Sequence, residues 1–289
     1  MAQDLGKKTI LVTGGAGLVG SHLCERLVKD GHTVISLDNY FSGSKDNHVA
    51  GVEYREGHTK DIEKFIPEKI DLIYHLGEYS RVEISLAEPE VVFDLNTVGT
   101  LGVLEFWRKQ KCKIVYAGSS TKFGDGGLSR TATPYAWTKA ANTELVKNYG
   151  EWYGLPFAVT YFYNVYGPRE RAGQYGTLIE IFRQKRLKGE VLGVVTPGTQ
   201  KRYFTYVGDI VSGLILVGEK GEGDNYGLGD THEYSVLEIA QMFGGEIEML
   251  PERAGNRLSS AIDISKAQSL GWNPTKGVAE YIHEIMEKK

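Results

Sequence analysis

Residues 8–20 read KTILVTGGAGLVG, and residues 21–31, SHLCERLVKDG, carry a helical apolar pattern that stops at Gly31. An apolar run that breaks into glycines and reopens as a helix confines this part of the chain to a strand–turn–helix unit. Gly14, Gly17 and Gly20 recur at every third position. The first can make a tight turn, the second lets backbone approach a ligand, and the third lets helix and strand pack closely. The rhythm then repeats. HTVISLD, VEYREG, DLIYHLG, KIVYAGSS and PFAVTYFYNVYG each read as a strand, with helical patterns between them, clearest at 91–109 and 136–153. Near-continuous apolar strands alternating with helices imply a parallel sheet covered on both faces. Right-handed crossovers make that sheet doubly wound, an α/β fold of the Rossmann kind.

After NVYGPRE the rhythm changes. Helical patterns at 177–189, 235–243 and 277–287 and the strand-like QKRYFTYV point to a smaller mixed α/β unit. The expected division is therefore a sheet domain at 1–167 and a substrate domain at 168–289, with the chain free to cross back into the sheet.

The glycine loop suits a pyrophosphate. It opens a helix whose first N–H groups lack acceptors and whose positive dipole end faces the ligand. Asp38 ends the second strand, 18 residues after Gly20. A carboxylate there accepts hydrogen bonds from the adenosine ribose and repels a 2′-phosphate, which favours NAD over NADP. Composition excludes other classes. A net charge of −4 without a basic run gives no footprint for nucleic acid or an anionic membrane. The apolar runs are strand-sized, and the N-terminus has no signal-peptide core. Cys24 and Cys112 form neither a disulfide framework nor a metal-ligand spacing. A cytoplasmic, metal-free protein is expected.

PYAWTK, residues 134–139, places Tyr135 four residues before Lys139 at a helix start, one above the other on one face. A cation beside a phenol favours phenolate. With the glycine loop, HLGEYS, AGSSTKFG, PYAWTK and YFYNVYGPRE in that order, the chain resembles the extended short-chain dehydrogenase/reductase family. Within that family the likeness is to the NAD-dependent nucleotide-sugar epimerases and dehydratases, over about residues 8–275.

The resemblance implies bound NAD, a C-terminal nucleotide-sugar domain and a homodimer paired through the helices at about 91–109 and 136–153. It makes Tyr135 the acid/base, Lys139 the residue that holds the nicotinamide ribose, and Ser119 the hydroxyl at the reacting oxygen, with Ser120 beside it. Phe123 stands where the family has tyrosine. The cofactor wall would comprise Gly14, Gly17, Leu18, Val19, Gly20, Asp38, Asn39, His58, Thr59, Leu76, Gly77 and Asn96. Asn164, Arg202 and Arg253 would face the substrate's diphosphate, where the planar guanidinium pairs well with phosphate oxygens. Glu78 and Arg81 stand where small residues are commoner and would meet cofactor or sugar. His58 replaces an acid at the adenine position, Tyr203 stands where the family often has Asp, and His75 reads as a strand-end core residue.

Sugar 4,6-dehydratases carry Asp-Glu or Ser-Glu after the catalytic Thr; here Ser120 and Thr121 follow Ser119. The expectation is NAD-dependent oxidation of the sugar at C4, as a 4-epimerase. The alternatives are a 4-dehydrogenase that releases the keto sugar, a 4,6-dehydratase, and a non-catalytic NAD sensor on the same fold.

Overall fold

The computed structural model describes residues 6–252 and 261–287. Seven parallel strands form one sheet: β1 (Thr9–Thr13), β2 (Thr33–Asp38), β3 (Val52–Glu56), β4 (Leu72–His75), β5 (Lys113–Ser119), β6 (Phe157–Phe162) and β7 (Gly223–Leu228). Their order is β7-β6-β5-β4-β1-β2-β3. The order reverses between β1 and β4, so their carboxyl ends open a crevice there, where ligands bind in such sheets. β1 pairs with β2 through Thr13 and Leu37, and with β4 through Thr13 and His75.

The central strands are buried because helices cover both faces. The helix α1 (Leu18–Lys29) turns Leu23, Cys24 and Leu27 onto the core. They pack with Ile10, Val12 and the helix Val207–Lys220. On the other face Leu11, Ile73, Val103, Trp107, Val146 and Tyr149 form a second cluster. Helices α2 (Gly99–Gln110) and α3 (Pro134–Tyr153) supply Val103, Trp107, Val146 and Tyr149 to it. A π-helical turn, Phe93–Val98, leads into α2. Thr133 caps α3 by accepting from Ala136 N at 3.1 Å, Pro134 sits in its first turn, and Gly154 closes it at φ +62. Both ends of α3 are thus set by residue types suited to them.

After β6 the chain builds a separate core. Phe182, Leu192, Val194, Ile239, Phe243 and Ile282 pack there, and Leu192–Val195 pairs in parallel with Ile247–Leu250. Between these pieces the chain returns to the sheet: the helix Val207–Lys220 covers it and β7 pairs with β6. Among the described residues no helix is long and apolar enough to cross a membrane.

Candidate active site

A cavity of about 860 Å³ opens along the carboxyl ends of the strands and runs beneath the C-terminal unit. Its floor is the glycine loop. Gly14 has φ +75, and a Cβ there would meet Gly77 Cα at 2.9 Å. Gly20 is held so tightly on the loop that a Cβ would lie 2.1 Å from Gly14 O. Gly17, at the N-cap of α1, has open space apart from Gly14 O at 3.2 Å. Leu18, Val19 and Gly20 form the first turn of α1 and line the cavity, so donors without helical acceptors face it.

Asp38 lies at the cavity wall and accepts from Ala16 N at 2.9 Å and Tyr40 N at 2.8 Å. Burial raises its carboxyl above the ordinary value, while the two backbone hydrogen bonds oppose the rise. Each oxygen keeps a lone pair for a ribose hydroxyl. Asn39, Thr59, Leu76 and Gly77 also line the cavity. A loop cradle, a helix N-terminus and a carboxylate at these stations fit a dinucleotide.

Two residues expected at the cofactor wall are placed otherwise. His58 is not at the cavity: its ring accepts from Lys60 N at 3.0 Å and bonds Asp94 at 3.0 Å. Asn96 is fully buried behind the wall. Its amide bonds Tyr79 N at 2.6 Å and Thr138 Oγ1 at 3.0 Å, tying the π-helical turn to α3 and to the loop after β4. Both side chains are satisfied by their own neighbours.

Deeper in the cavity the Tyr135 hydroxyl donates to Ser119 Oγ at 3.1 Å, from the first turn of α3 to the end of β5. Thr121 Oγ1 also donates to Ser119 Oγ, at 3.0 Å. With Thr121 N also donating to it at 3.3 Å, the Ser119 hydroxyl accepts three bonds and keeps its own proton to give. Ser120 lines the cavity beside it. Lys139, one turn along α3, is buried and bonds both Glu78 and the carbonyl of Ala117. Three protons on the ammonium leave one for a further acceptor.

The Glu78 carboxylate is spent. Besides Lys139 it accepts from Thr100 Oγ1 at 2.7 Å, Asn142 Nδ2 at 2.7 Å and the Tyr116 hydroxyl at 3.1 Å. Burial would raise its carboxyl, but the charge of Lys139 and the bonds from Lys139 and Thr100 outweigh burial and hold it below the ordinary value. Glu78, expected to meet cofactor or sugar, lines the cavity as half of a buried ion pair. His75 is fully buried between Thr13 at 2.7 Å and Thr100 at 3.0 Å, and burial pushes its pKa down to about 4.

Arg81 lines the cavity, bonds Tyr175 O and Ser80, and meets no carboxylate among the described residues. Burial pulls its guanidinium below the ordinary value. Asn164, at φ 29, donates to Tyr203 O at 2.7 Å and lines the cavity, as does Arg202. Arg253 lies outside the described residues. Sequence reasoning passed over Arg171 and Lys185, which also line the cavity. The YGPRERAG stretch signalled the first, whereas nothing local marks Lys185.

Residues 10–229 match the model of the NAD dependent epimerase/dehydratase family. The chain belongs to that family. It is an enzyme of the family's NAD-dependent type. A protein of Methanocaldococcus jannaschii that carries the provisional name UDP-glucose 4-epimerase is 33% identical, over 96% of this chain and 97% of that one. UDP-glucuronic acid decarboxylase 1 of Xenopus tropicalis is 31% identical, over 97% of this chain and 72% of that one. The UDP-glucose 4-epimerase of Thermus thermophilus, solved with NAD, superposes with a TM-score of 0.88 at 28% identity, over 96% and 98% of the two chains. The glycine loop, Asp38 and the Ser119–Tyr135–Lys139 group therefore lie in an NAD enzyme of an epimerase, dehydratase and decarboxylase family.

Proposed function

We propose that the protein is a nucleotide-sugar 4-epimerase that oxidises its sugar at C4 and reduces it again. The observation that carries this reading is the Tyr135 hydroxyl 3.1 Å from Ser119 Oγ, with Lys139 one turn away on the same buried face. NAD, when bound, supplies the hydride acceptor and later the donor. Tyr135, in the phenolate form that a nearby cation favours, takes the proton of the C4 hydroxyl, Ser119 gives its free proton as a hydrogen bond to that oxygen, and Lys139 offers its remaining proton to the ribose. A phenol is a weak base, so a cation on its helix face matters. Return of hydride to the other face of C4 inverts the centre, and Tyr135 restores the proton. Arg202 and Asn164, which line the cavity, face the diphosphate.

A dehydratase is disfavoured. Elimination of water needs a base for the C5 proton and an acid for the leaving hydroxyl. Glu78 is tied to four groups, and Asp125 accepts from Ser129 at 2.7 Å and is not at the cavity.

One observation favours a second reading. Arg81 is a half-buried cation at the cavity with no carboxylate in ion-pair contact among the described residues, which suits a sugar that brings its own carboxylate. A uronate oxidised at C4 is a β-keto acid. Its C5–C6 bond breaks, carbon dioxide leaves, the electron pair passes to C5 and the C4 oxygen as an enolate, and a proton at C5 completes the loss.

Chromatographic separation of the isomers followed by mass spectrometry of products from UDP-glucose and UDP-glucuronate separates the cases. An isomer of unchanged mass supports the epimerase, and loss of carbon dioxide supports the second reading. A product lighter by water or by two hydrogens overturns both. Tight NAD binding without turnover of any nucleotide sugar supports the sensor.

We further propose a homodimer. Phe93, Val98, Leu101, Trp137, Trp152 and Tyr153 are exposed on the two helical stretches expected to pair, and Trp152 is 61% exposed. Apolar surface of this kind marks an association site. Light scattering should give twice the chain mass, and Trp152→Glu should lower it.

A further inference from the structure

The buried pair of Glu78 and Lys139 is more elaborate than a lysine that only touches a ribose needs. Glu78 comes from the loop after β4, and its partners come from β5, α2 and α3. The two side chains are 3% and 6% exposed. The Lys139 ammonium also lies over the Tyr116 ring, 4.6 Å from its centroid. The other titratable groups around the pair are neutral near pH 7. Burial lowers His75 to about 4, and burial together with the charge of Glu78 holds the Tyr116 phenol protonated. The pair therefore carries one negative and one positive charge, with a net charge of zero, at the wall of the cavity.

We propose that Glu78 is a positioning and charge-balancing residue for the cofactor site. It aims Lys139 and cancels its charge where the nicotinamide lies, so that the site holds cationic, oxidised NAD in preference to neutral NADH. The inference rests on the placement of Lys139 beside the nicotinamide ribose and is independent of which sugar is the substrate. The chemistry proposed above requires such a site. An enzyme that begins by removing hydride must rest with oxidised cofactor, and an unopposed cation beside the nicotinamide would favour the reduced form. Near an oxidised ring, like charges repel by an amount that falls as the surroundings become wetter.

The test is a pair of affinities measured without substrate. Cofactor is stripped from the protein, and the Kd values for NAD and NADH are measured by calorimetry for the wild type, Glu78→Gln and Lys139→Met. In Glu78→Gln the ratio Kd(NAD)/Kd(NADH) should rise, on the order of tenfold for one unit charge in a partly wet cavity. In Lys139→Met the ratio should fall, because Glu78 is then unopposed.

A purely structural role for Glu78 would weaken both cofactors together and leave the ratio unchanged within twofold, which overturns the proposal. If neither variant moves the ratio, the placement of Lys139 fails and the proposal with it, whatever the sugar assays show. If Glu78→Gln does not fold by circular dichroism, Glu78→Gln/Lys139→Met carries the test. A neutral pair of similar shape replaces the ion pair there. A ratio within twofold of wild type supports charge balance, and a tenfold departure overturns it.

Discussion

Alanine at Gly17 and alanine at Gly20 should fail in different ways, although the two glycines stand three residues apart in one motif. At Gly20 the new Cβ would lie 2.1 Å from Gly14 O and 2.8 Å from both Gly14 C and Gly15 Cα. Those are backbone atoms and cannot swing aside. Overpacking of this kind costs about 3 kcal/mol, equivalent to roughly 6–10 °C in melting temperature for a chain of this size. At Gly17 the backbone has φ −79 and ψ 178, which alanine adopts freely, and the nearest atom is Gly14 O at 3.2 Å. Exchanging an N-cap glycine for alanine costs about 1 kcal/mol or less. Gly17 faces the cavity, so its methyl group would occupy the approach of the pyrophosphate. NAD at one hundred times its Kd stabilises by about 2.7 kcal/mol, and a hundredfold weaker affinity leaves about 0.4 kcal/mol. Melting the stripped protein with and without NAD separates the two effects. Gly17→Ala should melt near wild type and lose the NAD-induced shift, and Gly20→Ala should melt low even without ligand. A full NAD shift in Gly17→Ala would place the pyrophosphate elsewhere, and a wild-type melt for Gly20→Ala would contradict the close packing of the loop.

Tyr135→Phe should keep fold and NAD binding, losing one hydrogen bond worth about 1 kcal/mol, while turnover falls by roughly two or more orders of magnitude; near-normal kcat would remove Tyr135 from the chemistry. Mass spectrometry of cofactor released from the protein should show NAD or NADH, and NADP as the main species would contradict the role given to Asp38. Burial raises the Glu170 carboxyl from 4.5 to about 7 against the bonds from Gly167 and Thr177. Its neutral form is therefore favoured in the fold, and its contribution is present in full below pH 4.5 and lost as pH rises through 7. Urea unfolding of Glu170→Gln against wild type should show a relative gain for the variant between pH 5 and 8.5 of up to about 3 kcal/mol, and an equal difference at both pH values would refute it. Arg202→Ala should weaken binding of uridine diphosphate at least about tenfold in titration calorimetry, with NAD affinity unchanged.

The sheet was readable from the sequence because its strands are buried on both faces and so stand out as apolar runs. β7 was not, since GDNYGL is polar and glycine-rich and joins the sheet only through its pairing with β6. The glycine loop and Asp38 were legible for a related reason: their spacing is set within one strand–turn–helix unit. The surroundings of Glu78 were not local. Its partners are Thr100, Tyr116, Lys139 and Asn142, brought together only when β5, α2 and α3 pack. A carboxylate among small residues therefore read as a substrate contact. His58 misled in a similar way, because Asp94, which claims its ring, lies 36 residues further on.

The hydroxyls after Ser119 and the burial of Glu78 bear on one question from two sides. A site that eliminated water would need ionisable groups at the cavity besides Tyr135. Ser120 and Thr121 supply only hydroxyls, and Thr121 spends its own on Ser119. The Glu78 carboxylate at the cavity wall is locked to Lys139. Freeing Glu78 to act as an acid would leave Lys139 without its counter-charge, so the two roles exclude each other. In the proposed reaction Tyr135 carries the C4 proton out on oxidation and back on reduction. A single group that returns the proton it took suits a reaction whose product has the same atoms and oxidation state as its substrate. That proton balance, more than the glycine loop common to NAD-binding folds of this kind, is why inversion at C4 is the first reading of this cavity.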